Sequence, residues 1–310
     1  MRKYIIIGLM LGLTAGIAQA QNGGNAGAYL RMGLGARSTS LGNAGAADVS
    51  NGFSFYYNPA LTSFLDAKVG ALSYSFLSLD RQFNFIGYGM DVAPGGGLAL
   101  ALINTGVDDI TGYNSVGEQT GEIGHSANAA YFNFSRKFFN KFSIGLTIKY
   151  LWESLDVQGD DDYQSQGVGV DAGLLYKITP TLQVAAVVRD INSQLKANTE
   201  NLFEFGGTTV DKFPTLYIIG ARYQTPLPWL SVLYDYERST KNDDRHHFGV
   251  ETSYQDRLGF RLGLNHDRLM AGAGMGFKIL SARAKLDYVF VPPVTDEGSS
   301  HIFSWQFILP

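Results

Sequence analysis

The 310-residue chain contains no cysteine. That removes disulfide frameworks, thiolate metal sites, cysteine nucleophiles and the acylated cysteine of a lipoprotein. Charge is scarce as well: Asp, Glu, Lys and Arg make up 17% of residues, against roughly a quarter in soluble domains. A soluble chain this short of charge needs a large dry core. A barrel facing lipid instead needs few charges, many small residues and aromatic girdles. Basic charge is not in excess, the formal net charge being -4, so the basic stripe of a nucleic-acid binder is missing. Beyond the first residues no apolar run approaches the roughly 20 residues of a membrane-spanning helix. If the chain sits in a membrane, only a closed barrel satisfies its backbone there.

What is present begins with a leader. Arg2 and Lys3 precede an apolar stretch from Tyr4 to Ile17, and Ala18-Gln19-Ala20 supplies a small-x-small cleavage site. The pattern reads as a secretory signal peptide over residues 1–20, with the mature chain starting near Gln21. A transmembrane helix is the competing reading, but a run of about 14 residues is short for a span.

The rest has two textures. Residues 21–66 are rich in Gly, Ala, Ser and Asn and alternate poorly. From residue 67 to 310 alternation with period two dominates, which places successive side chains on opposite faces of a strand. Phe142, Ile144, Leu146, Ile148, Tyr150 and Trp152 oppose Ser143, Gly145, Thr147, Lys149, Leu151 and Glu153. Phe303, Trp305, Phe307 and Leu309 oppose Ser304 and Gln306 near the end. Aromatic residues at the ends of such apolar faces suit a membrane interface. Strands are expected near 67–79, 82–92, 97–106, 125–138, 142–154, 166–178, 181–190, 213–225, 229–238, 245–255, 257–265, 269–279, 282–291 and 300–309. The connections sort by length: short turns such as Ala93-Pro94-Gly95 and Phe139-Asn140 alternate with long polar loops at 107–124, 155–165, 191–212, 239–244 and 292–300. Outer-membrane barrels show this asymmetry between periplasmic and external ends. A soluble sandwich or propeller also alternates, but its strands average about 5–6 residues. The expected fold is therefore all-β, a transmembrane antiparallel barrel of about 14 strands.

The N-terminal texture resembles the PorV/PorQ family of outer-membrane proteins, relatives of the FadL long-chain fatty-acid transporters. The residues that carry the resemblance are Gly35-Ala36-Arg37-Ser38, Leu41-Gly42-Asn43-Ala44-Gly45-Ala46 and Tyr57-Asn58-Pro59-Ala60-Leu61, with Asp171-Ala172-Gly173-Leu174-Leu175-Tyr176 further on. The chain departs from the family in two places. No glycine follows Asn58-Pro59-Ala60, and the chain ends Phe307-Ile308-Leu309-Pro310 instead of on an aromatic residue. The resemblance implies a 14-stranded barrel with residues 21–66 folded into the lumen as a plug whose motif is Gly35, Arg37, Gly42, Gly45, Asn58 and Pro59. It also implies two roles: a type IX secretion-associated component handling exported proteins, or a FadL-like channel for hydrophobic compounds.

A plug of glycine and alanine can pass close to the lumen wall. Arg37 and Asp48 are expected to pair with inward-facing Asp171, Arg189, Asp235, Glu251, Arg261 or Asp287, because buried charge left unpaired is costly. Other motifs have plainer readings. His125, His246, His247, His266 and His301 fall near external strand ends without recognised ligand spacing. Asp156 and Asp160-Asp161-Asp162 lack the pattern of a calcium loop. Gly33-Leu34-Gly35 and Gly272-Ala273-Gly274-Met275-Gly276 do not join a strand to a helix as phosphate loops do. Asn133-Phe134-Ser135 matches a glycosylation sequon by chance within a strand. Leu202-Phe203-Glu204-Phe205 is an apolar loop segment suited to a ligand entry, a partner contact or an aromatic belt. No nucleophile elbow or other catalytic signature is present, so no enzyme, metal or cofactor is expected. The expected partners are outer-membrane lipid, secretion-system proteins or exported cargo, and a hydrophobic ligand.

Overall fold

The structure is a computed structural model that describes residues 24–49, 52–156, 163–198, 206–255, 257–279, 281–293 and 298–309. The leader, Asp160 to Asp162 and Leu202 to Phe205 lie outside the described residues. Among the described residues fifteen strands follow one another: β1 (Lys68–Phe76), β2 (Gln82–Val92), β3 (Gly96–Tyr113), β4 (Gln119–Phe138), β5 (Phe142–Leu155), β6 (Tyr163–Lys177), β7 (Leu182–Asn198), β8 (Thr208–Lys212), β9 (Leu216–Gln224), β10 (Leu230–Ser239), β11 (Arg245–Tyr254), β12 (Leu258–Asn265), β13 (Arg268–Ile279), β14 (Ala282–Val291) and β15 (Ser300–Leu309). Each pairs antiparallel with the next, except that β7 pairs with both β8 and β9, and β1 pairs with β15, Lys68 opposite Leu309. Fourteen strands thus close a ring. β8 stands outside it and, among the described residues, pairs with the outer end of β7 alone. Closure leaves no edge strand in the wall, which lipid requires.

The period-two pattern sets the two faces. On β5, Phe142, Ile144, Leu146, Ile148 and Tyr150 are 36–48% exposed on the outside, while Ser143, Thr147, Lys149 and Leu151 are at most 1% exposed inside. The outer face is the apolar surface that meets lipid, with rings such as Tyr150–Trp152 and Trp305–Phe307 stacked along it. The architecture is a closed antiparallel β-barrel with an apolar outer face.

Three stretches differ from the expected strands. β3 and β4 continue as a paired ribbon through residues expected to be a loop, with irregular register between Val107 and Ile110 and between Gly112 and Tyr113. β7 runs on to Asn198 and pairs with β8, again within an expected loop. Backbone pairing persists beyond the lipid, where side-chain alternation no longer has a reason to. β9 starts at Leu216 and not at 213, because Pro214 has no N–H to give a ladder.

The segment before β1 lies inside the ring. It forms short helical turns at Ala28–Arg31, Ala36–Ser40, Ser54–Tyr57 and Pro59–Phe64, and nearly all of it from Leu34 onward is buried. At Asn25 it reaches the long-loop end, where Asn25 Nδ2 donates to Asn242 Oδ1 at 2.8 Å. At Asp66 it reaches the short-turn end, where β1 begins. The segment therefore crosses the lumen from one mouth to the other.

Candidate functional site

The segment is seated at two positions where its backbone meets wall glycines. At Gly42, φ is 69°, and a Cβ there would lie 2.4 Å from the Leu264 carbonyl oxygen. On the wall opposite, a Cβ on Gly263 would lie 2.1 Å from the Gly42 nitrogen. Backbone approaches backbone here, so neither position can carry a side chain. The second seat is Asn58-Pro59. The Asn58 amide donates to the Ala46 carbonyl (2.8 Å) and the Leu174 carbonyl of β6 (3.0 Å), and its Oδ1 accepts from Ala60 N (2.9 Å). Pro59 then occupies the first position of the turn, where its missing N–H costs nothing. Asn133 on β4 donates to the Pro59 carbonyl at 3.2 Å and Ser143 to that of Ala60 at 2.9 Å. Asn133 thus faces inward and serves the seat, which accounts for the sequon-like triplet. A Cβ on Gly173 would lie 2.0 Å from Asn58 Oδ1. Gly173→Leu is expected to unseat this turn: limited proteolysis of the folded barrel should cut the segment near Asn58 at least about tenfold faster, since local protection follows local packing. Unchanged protection would mean that the Asn58 bonds do not hold the segment.

Charge gathers in two groups. In the first, the Arg37 guanidinium bonds Glu251 (Nε–Oε1 2.9 Å, Nη2–Oε2 2.5 Å) and Asp48. Arg261 bridges onward to Glu251 and Asp287, both at 2.7 Å, and Arg222 lies 3.4 Å from Asp48. Asp48 and Glu251 supply the counter-charge that a buried guanidinium needs. In the second group the fully buried Lys149 amine sits 2.7 Å from Asp171 and bonds Asp190. Asp171 also accepts from the Asp190 backbone N–H at 2.7 Å.

Of the lumen charges expected from sequence, Glu251, Arg261 and Asp287 join Arg37, while Asp171 belongs to the other group. Asp235 takes a backbone bond from Ala46 N (2.8 Å), next to Gly45. Arg189 donates to the Leu30 carbonyl (2.8 Å) and lies over the Tyr56 ring at 4.6 Å. Gly35 begins the Ala36–Ser40 turn, its carbonyl accepting from Thr39 N at 3.0 Å. No sequence motif marks Lys149 or Asp190. Lys149 falls on the inward face read from the alternation. Asp190 has the wrong parity, and only the irregular course of β7 turns it inward.

That irregularity is the main break in the wall. Register against β6 runs Val168 with Gln194, Val170 with Ile191 and Ala172 with Val188, so β7 carries an extra residue twice. Asp190 and Asn192 have φ of 57° and 50°. On the other side, pairing with β9 stops at Arg189–Leu216 and pairing with β8 starts at Gln194–Lys212. Between them the Phe213 N–H reaches the Ser193 carbonyl (3.0 Å) and the Thr215 hydroxyl the Asp190 carbonyl (3.3 Å). Phe213 turns into the lumen against Gly27. It joins an apolar cluster that includes Leu30, Phe53, Phe85, Tyr131 and Leu195. This apolar cluster thus lies against β1–β5 and β7, beside the Lys149 group, while the Arg37 network lies against β9, β11, β12 and β14.

A cavity of about 20 Å³ between Tyr56, Arg189, Asp235, Arg245 and His247 has room for about one water. A wider cleft of about 340 Å³ at the short-turn mouth is lined by Asp66, Lys68, Asp91, Arg283 and Ile308. The histidines are dispersed. His247 points inward to the Gly42 carbonyl (2.9 Å); His125 meets Glu153 (2.5 Å), and His246 and His301 bond Tyr234 and Tyr288 (2.8 Å each). No group of three metal-ligating side chains occurs among the described residues.

No protein-family model matches the chain, and no curated protein sequence does. Solved structures do match. The toluene transporter TbuX of Ralstonia pickettii is 14% identical with a TM-score of 0.65, covering 90% of this chain and 99% of that one. The toluene transporter TodX of Pseudomonas putida is 14% identical with a TM-score of 0.61, over 89% and 96%. A FadL homologue of Pseudomonas aeruginosa is 11% identical with a TM-score of 0.61, over 88% and 97%. At such identities the likeness is one of architecture, and the architecture of this chain is the FadL-like 14-stranded outer-membrane barrel.

Proposed function

We propose that the protein passes small hydrophobic molecules across the outer membrane, with its N-terminal segment as the gate in the lumen. The observation that carries this reading is the break in β7. It lies beside the apolar cluster, at the level of the lipid-facing residues Val168 and Tyr217, which are 53% and 50% exposed. There the wall is held by side-chain bonds and one bridging N–H in place of a continuous ladder. An apolar solute leaving the lumen at this point meets lipid, not water. The neighbouring structures described as toluene transporters support the same reading. The secretion-associated role that the PorV/PorQ resemblance implies rests on the N-terminal motif alone, and the neighbours named above add nothing to it.

The test is toluene uptake by cells that make the protein against cells that do not. Uptake is expected to rise several-fold and to fall back when Asn192→Cys and Thr215→Cys are oxidised to a bridge across the break. The chain has no other cysteine, so the bridge is unambiguous. Uptake no faster than in cells without the protein would sink the proposal.

A further inference from the structure

At the short-turn end, β4 and β5 are joined by Phe139-Asn140, with φ of 52° and 53°. Two-residue hairpins with both φ positive favour Asn and Gly, and a bulky residue in that conformation is an outlier. Phe139 is also 96% exposed. An aromatic side chain in a strained position and without cover is accounted for by something outside the chain. Just above it Phe138 and Phe142 stack on the lipid-facing side, ring centroids 6.1 Å apart. The surrounding charge has one sign. Arg136, on the outward face of β4, and Lys141, in the turn, are both exposed, and no acidic residue occurs between Glu122 and Glu153. The acids nearby in the fold, Asp66 and Asp91, line the separate cleft with Lys68 and Arg283.

We infer that this turn is a lipid site. Phe139 enters the interface of the leaflet that faces the periplasm, while Arg136 and Lys141 hold the phosphate of an anionic phospholipid. Aromatic rings with adjacent basic residues are the side chains that membrane interfaces select. The site is independent of what crosses the lumen.

Native mass spectrometry of the full chain with equal phosphatidylglycerol and phosphatidylcholine tests it. Retention should favour phosphatidylglycerol by about fivefold for each basic residue engaged. The double variant Arg136→Gln/Lys141→Gln should lose the preference. Phe139→Asn places a favoured residue in the turn, so its thermal unfolding midpoint should equal or exceed that of the wild type while fewer lipids of either kind are retained. Equal retention of the two lipids by the wild type, or a preference that survives the double variant, overturns the inference. A lower midpoint for Phe139→Asn also overturns it, because Phe139 would then serve the turn itself.

Discussion

Replacing Lys149 with methionine is expected to destabilise the folded barrel by about 3–5 kcal/mol, the cost of leaving a buried ion without its partner. Methionine nearly matches lysine in volume, so the loss is electrostatic and not one of packing. Lys149, Asp171 and Asp190 have side chains at most 3% exposed. Asp171 would keep the Asp190 N–H as a partner, but Asp190 would lose its cation. A second change, Asp190→Asn, removes the stranded charge and should restore part of the stability. The interaction term of the double-mutant cycle then isolates the pair. Urea unfolding in lipid vesicles, followed by the mobility difference between folded and unfolded barrel on unheated gels, gives the values. A single-variant loss below about 1 kcal/mol would mean that water reaches the group and that the cluster is not buried in the sense required. The consequence for function is direct, because this cluster ties β5 and β6 to the irregular part of β7. Loosening it should also weaken the wall at the proposed exit.

The barrel was legible because lipid imposes a simple rule: apolar side chains point out at every second residue wherever the wall meets hydrocarbon. Outside that belt the rule lapses, so the paired ribbon beyond Val107 and the added strand β8 read as loops. The charged site was legible only in part. Alternation places Glu251, Arg261 and Asp287 on the inner face, and the same rule places Asp190 on the outer one. The bulges that reverse it are set by long-range fits, such as the close approach of Gly167 and Gly169 on β6 to Gln194 and Ser193, which leave no mark in the local pattern. Partner choice was equally hidden. Arg37 and Glu251 are 214 positions apart, and periodicity fixes a residue's face, not which residue it meets across the lumen.

Removing residues 24–65 should raise the single-channel conductance in planar bilayers by on the order of tenfold or more, because a barrel of this size lies between small barrels filled by side chains and porins with an aqueous channel. The full chain fills its lumen with the segment: Leu41 and Gly42 lie against β11 and β12, and Pro59 and Ala60 against β4 and β5. The wall does not need the segment for its own hydrogen bonds, since every ring strand pairs with two others. Once the segment is gone, Asp235, Glu251 and Arg189 exchange bonds to it for water, which a hydrated lumen supplies as it does in porins. The open pore should discriminate weakly between cations and anions, because Lys149, Arg189, Arg222 and Arg261 on the wall are nearly matched by Asp171, Asp190, Asp235, Glu251 and Asp287. Heat-modifiable gel mobility separates a failure to fold from a failure to open. Gly263→Val provides a gentler second case, since it drives a side chain into the Gly42 backbone and should produce intermittent openings in an otherwise complete chain. Folded barrels of both variants that conduct no better than the full chain would mean that something other than this segment closes the lumen, and the gate would then have to be sought in the wall at β7.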